Sequence, residues 1–168
     1  MGEVKNLQRD AATEKLKELA EDIKVCMFCT DLGSAPFQTR PMGLQQIDDS
    51  GNLWFMSSSE SDKNAEIQND QDVQLIFSKN SDAHFLNVFG KATILRDKAK
   101  LDEVWNGLAK AWFTEGKDDP KITLIKVQPT EAYYWDTKDG KMISLIKIAA
   151  AAVTGKSMDG GIEGRLRV

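Results

Sequence analysis

Residues 53–77 read LWFMSSSESDKNAEIQNDQDVQLIF, and the fold turns on how this stretch is parsed. Leu53 to Met56 is an apolar strand that runs into three serines, and Val73 to Phe77 is a second apolar strand. Between them lies a short helix opened by Ser61-Asp62-Lys63. Ser57, Ser58 and Ser59 are small enough for a tight turn at the strand end. Ser61 is a candidate N-cap, its hydroxyl accepting from an otherwise orphan backbone N–H. A helix start also presents unpaired N–H groups and a positive dipole end, which suit a phosphate. The dipole contributes only about 0.3–1 kcal/mol, so Lys63 and the hydroxyls would carry much of any affinity. The same residues also describe a capped surface helix with a solvated lysine.

Outward from this unit, turns and periodicity divide the rest of the chain. Upstream, Ala12, Leu16, Leu19, Ala20 and Ile23 recur at helical spacing within residues 11–23. Residues 24–30 form a first strand. Residues 36–47 form a second strand, bent near Pro41 and Gly43, and Asp48 to Asn52 make a glycine-containing hairpin turn. Downstream, residues 85–95 read as a long strand with Gly90 inside it, the mark of a bulge or a close backbone approach. Asp97 caps a helix whose apolar stripe runs Leu101, Val104, Trp105, Leu108 and Trp112, the two tryptophans reading as core. Residues 122–127 and 132–135 are further strand, and Met142 to Val153 fits a helix. Ser157 to Val168 is glycine-rich and polar and reads as a loose tail. Short turns between successive strands favour antiparallel pairing, and a barrel with peripheral helices is the economical arrangement.

Composition bounds the function. The chain has 168 residues, 41% apolar and 29% charged, with a formal charge of −4. One domain spanning residues 1–168 is expected, its ordered core at about 10–155 and a flexible tail at 156–168. The acidic balance speaks against a nucleic-acid partner. No apolar run is long enough for a membrane span, and the N-terminus lacks a signal-peptide core, so a cytoplasmic location is the default expectation. Cys26 and Cys29 form C-x-x-C, but they lie in an apolar strand with no second pair, and they read as structural thiols rather than a redox or zinc site. His84 is the one histidine, so most acid–base and nucleophilic schemes lack a base and no metal site is expected.

Five segments in order then carry a resemblance: Arg40-Pro41-Met42, WFMSSSESDKNAEIQND from Trp54, FLNVFGKATIL from Phe85, WFTEGKDDP from Trp112 and EAYYWD from Glu131. Together they make residues 10–155 resemble the FMN-binding split-barrel family typified by pyridoxamine 5′-phosphate oxidase, and within it the bacterial general-stress branch. The resemblance implies a mainly β fold with peripheral helices (α+β), an antiparallel split β-barrel. It places Thr39, Arg40, Pro41 and Met42 along the flavin ring and matches Met56 and Ser57 to a tyrosine-threonine pair whose second member touches the cofactor. Lys63 falls where a lysine grips the FMN phosphate, Phe85 replaces a flavin-contacting glutamine, and Trp135 matches a tryptophan contributed across a homodimer interface. Asp62 stands in place of an arginine at the phosphate site. Residues 136–147 lack the histidine and arginine that hold pyridoxamine phosphate in the oxidase, which implies that this chain is not a true oxidase of that substrate. The expected function is FMN binding with flavin-dependent oxidoreductase activity in stress physiology. The alternatives are a flavin carrier or sensor without turnover, or a barrel that binds haem, through His84, or a deazaflavin. No catalytic residue is named.

Overall fold

The computed structural model describes residues 3–106, 109–137 and 161–168. The expected helix at 142–153, Leu108, and most of the 136–147 segment lie outside the described residues.

Among the described residues, ten strands form one open, mixed sheet flanked by three α-helices. Helix α1 (Asp10–Ile23) buries Ala12, Leu16, Leu19 and Ala20, the face its periodicity marked, against the sheet. The strands β3 (Val25–Thr30), β4 (Gln38–Gly43) and β7 (Asp72–Lys79) pair antiparallel, with β4 at an edge. Pro41, which has no N–H to donate, sits on that edge strand, where the missing donor disrupts no ladder. The short β5 (Gln46–Ile47) pairs with β6 (Leu53–Ser58), and β6 leads through the serines into α2 (Asp62–Asn69).

The longest pairing joins β8 (His84–Leu95) to β9 (Ile122–Thr137). Sequence reading divides β9 in two at Pro129, whereas it is one continuous strand that changes its second neighbour midway. Its first half pairs with β6 through Ile122–Val127, and its second half with β10 (Gly161–Arg167) through Ala132–Thr137. Pro129 falls in the gap between these partners, opposite Gly90, where the β8–β9 register shifts. A Cβ on Gly90 would meet the Gln128 carbonyl oxygen at 2.4 Å, so the bulge needs glycine for close approach.

Three expectations require correction. Gly161–Arg167 is strand, not loose tail; β1 (Glu3–Val4) and β2 (Leu7–Gln8) pair with it in parallel, which makes the sheet mixed rather than purely antiparallel. Its alternation of Ile162, Gly164 and Leu166 against Glu163, Arg165 and Arg167 is the period of a half-buried strand. The second correction concerns the helix after Asp97. Asp97 caps it by accepting from the Lys100 N–H, but α3 (Lys98–Val104) ends before the tryptophans, and Trp112 is 84% exposed rather than core. The third is Ser61, which occupies the N-cap position of α2 without making a side-chain cap bond.

The main core joins α1 to the inward faces of the sheet, with Phe28 and Phe55 edge to face at 5.3 Å. A smaller cluster of Trp54, Val104 and Leu124 seats α3. Cys26 and Cys29 are both buried and unbridged. Three residues apart on a strand, they project to opposite faces, which rules out a bond between them.

Candidate functional site

The serine elbow is held by a closed loop of buried side chains. The Ser57 hydroxyl donates to the Asn64 carbonyl oxygen at 2.7 Å, and the Asn64 amide donates to the Thr123 hydroxyl at 2.9 Å. Thr123 donates back to the Ser57 carbonyl at 3.2 Å. This ties β6, the first turn of α2 and the start of β9 together. It also commits the Ser57 hydroxyl to the scaffold. Asn64 was not legible from sequence, since a polar residue in a first helical turn usually faces solvent.

Lys63 follows directly. Its ammonium donates to the Ser61 hydroxyl at 2.6 Å, and it makes no ion pair among the described residues. Burial, and next the Arg40 guanidinium, hold it below the ordinary lysine value against the pull of Glu66 and Asp62. Arg40 reaches this end of the molecule from β4. It donates 2.7 Å to Glu66 of α2 and also to the buried Thr30 hydroxyl, which in turn donates to Glu66. Glu66 and Thr30 were missed by sequence reasoning. The available signal was spacing: Glu66 lies three residues beyond Lys63 and so shares its side of the helix.

The other predicted residues separate by face. Cross-strand partners lie on one face of a sheet. Arg40 opposes Phe28 and Met42 opposes Cys26, so both project to the core side. Met56 projects away from Ser57 and packs into the small cluster under α3. Thr39 and Pro41 lie on the opposite, outward face, where one row runs Pro41, Met27, Ile76, Asn87 and Tyr133. Phe85 and Trp135 oppose each other on that same face. There Val25 is 54%, Met27 41%, Ile76 43% and Trp135 41% exposed, a concentration of large apolar side chains in solvent.

The structure therefore gathers Arg40 and Lys63 around the elbow but does not bring Phe85 and Trp135 to them. Trp135 is twelve residues along β9 from Thr123, roughly 40 Å of strand length at the usual rise. A cavity of about 560 Å³ opens on the other side of α2, lined in part by Ser59, Ser61, Gln68 and Arg96, and holds none of the predicted flavin residues.

His84 begins β8 behind Phe85. Its Nδ1 lies 3.2 Å from Asp22 and its Nε2 3.0 Å from Asp136, which also pairs with Lys15. Asp22, Asp82 and His84 bring ligand-type atoms close together. The Lys79 ammonium already supplies the cation there, at 2.6 Å from Asp22 and 2.7 Å from Asp82.

The model of the pyridoxamine 5′-phosphate oxidase-like family matches residues 11–159. The chain belongs to that family. A general stress protein 26 from Jannaschia sp. CCS1 superimposes with a TM-score of 0.80 at 26% identity, over 93% of this chain and 98% of that one. The general stress FMN/FAD binding protein of Xanthomonas citri gives a TM-score of 0.64 at 26% identity, over 74% of this chain and 87% of that one. Protein bli-3 of Neurospora crassa is 25% identical over 127 residues, 70% of this chain; the match spans 61% of the length of bli-3. This family member thus has the split-barrel fold of the general stress proteins it resembles.

Proposed function

We propose that this protein binds FMN in a homodimer and serves as a flavin-dependent oxidoreductase of the general stress type. The phosphate would lie at Lys63, Ser61 and the start of α2. The ring would lie along Thr39–Met42, with Phe85 and Trp135 supplied by the second copy. The observation that carries this reading is the outward sheet face. Thr39, Pro41, Phe85 and Trp135 share it, and its apolar surface is of the kind that subunits cover. A two-fold pairing of that face lets one copy's Trp135 approach the other's β4.

The residues at the elbow fit an anionic group. They offer an ammonium with no carboxylate partner among the described residues, a hydroxyl, and a helix start whose N–H groups no side chain caps. A bound flavin would supply the electron chemistry, and the chain would bind and orient it. At the far end Asp136 adds negative charge, committed to Lys15 and His84, which does not favour a phosphorylated pyridoxal-type substrate. Both ring nitrogens of His84 are engaged, so the haem alternative would require breaking that cluster.

Titration of the purified apo-protein with FMN tests the reading. Lys63→Ala should weaken binding by about 1.5–3 kcal/mol, roughly tenfold to a hundredfold or more. An unchanged affinity would place the phosphate elsewhere. NAD(P)H oxidation faster than that of free FMN would establish turnover, and a rate equal to it would leave a carrier.

A further inference from the structure

The Arg40–Glu66 pair has a consequence for which phosphate-bearing ligands the elbow can hold, given the flavin reading above. We propose that Glu66 is the specificity-determining residue of the cationic end, neutralising Arg40 so that only Lys63 meets the phosphate.

The geometry is a ring of three side chains from three elements. Arg40 comes from the edge strand β4, Thr30 from the end of β3 and Glu66 from the middle of α2. One guanidinium nitrogen bonds Glu66 at 2.7 Å and the other bonds the Thr30 hydroxyl, which closes the ring onto the same carboxylate oxygen. Thr30 is fully buried, and Arg40 and Glu66 are each mostly covered. The pair is therefore screened less than a surface ion pair and holds Arg40 in one place.

Lys63 and Glu66 sit one turn apart on the same side of α2. With Asp62 of the same helix start counted, the formal charge of Arg40, Lys63, Asp62 and Glu66 together is 0, where without Glu66 it would be +1. A phosphomonoester dianion entering beside Lys63 meets that ammonium directly, while the pull of Arg40 is offset by its partner Glu66 and Asp62 adds a repulsion that does not depend on the pair. An uncharged ligand of the same shape feels none of these. Glu66 thus narrows the preference for FMN over riboflavin.

Glu66→Gln tests this, because glutamine keeps an acceptor for Arg40 while removing the charge. FMN and riboflavin are titrated separately into the apo forms of the parent protein, Glu66→Gln, Arg40→Ala and the Arg40→Ala/Glu66→Gln double variant. FMN should bind Glu66→Gln about tenfold tighter or more, as expected for one unit charge removed within several ångströms. Riboflavin affinity should stay constant. The FMN gain should shrink in the Arg40→Ala background, where the freed guanidinium is missing. FMN affinity that is equal or weaker in Glu66→Gln, with circular dichroism showing a native fold, would overturn the proposal while leaving the flavin reading intact. A gain shared equally by riboflavin would also overturn it, since charge would then not be the cause. Failure of every form, parent included, to bind either flavin would remove the flavin reading and this inference with it.

Discussion

Phe85 and Trp135 face each other across the β8–β9 pair, on the same outward surface as Met27 and Ile76 and far along β9 from Thr123. Tyr133 lies beside Trp135, the rings tilted by 53° with centroids 4.7 Å apart. This surface offers aromatic and aliphatic groups to solvent at positions where a monomer gains nothing from them.

Charging that surface should separate the subunits. Met27→Lys and Ile76→Lys replace side chains that are 41% and 43% exposed, so the fold of each chain should persist. Sedimentation of the parent protein should give a dimer, and that of each variant a shift toward monomer, with FMN affinity falling in parallel. A monomeric parent that still binds FMN at full strength would remove the subunit-spanning site.

The glycines of the two tight approaches should be intolerant. A Cβ at Gly164 would meet the Lys5 carbonyl oxygen at 2.0 Å, and one at Gly90 would meet that of Gln128 at 2.4 Å; at Gly33 nothing lies within 4 Å. Backbone oxygens cannot swing aside as side chains do. Gly164→Ala and Gly90→Ala should each lose roughly 1–3 kcal/mol in urea titrations. Gly33→Ala should stay within about 0.5 kcal/mol. Equal stability of the three variants would contradict the close packing of β10 on the N-terminal strands.

Cys26 makes a pH prediction. Burial, and secondarily Cys29, push its thiol up to about 12 from an ordinary 9.0. Unfolded chains ionise this thiol first, so the folded state binds more protons above pH 9. The stabilisation is fully present below 9.0 and is lost as pH rises toward about 12, at about 1.4 kcal/mol per pH unit. Urea midpoints of the parent protein should therefore decline more steeply above pH 9 than those of Cys26→Ala. Parallel declines would show that the thiol is more accessible than its position suggests.

Sequence periodicity carried most of the architecture. The 3.6-residue pattern of α1 and the alternation of β7 map onto buried faces because one side of each meets the core, whereas the continuously apolar β6 is covered on both faces. The last strand went unread because glycines and charges dominate Gly161–Arg167, and its β-period is visible only once Gly164 is counted as an inward residue. Trp112 went wrong for a different reason. Its helical spacing from Trp105 is genuine, but the helix stops at Val104, and periodicity has no meaning beyond a helix end. At the site, Arg40 and Lys63 were legible as cations on a strand and a helix start. Glu66 and Thr30 were not read, since their contacts to each other and to Arg40 span 10 to 36 positions, and only the three-residue spacing of Glu66 from Lys63 left a local signal.

The partner exchange of β9 at Pro129 reaches further than the fold. The strand's opening residues, through Thr123, brace the elbow, while its closing residues carry Tyr133 and Trp135 on the outward face. In a two-fold assembly each such girder would run from one pocket to the other, crossing a waist at Pro129 where it has a single flanking strand. If the outward face pairs as proposed, a substitution that loosens the strand at Pro129 would be felt in both pockets at once.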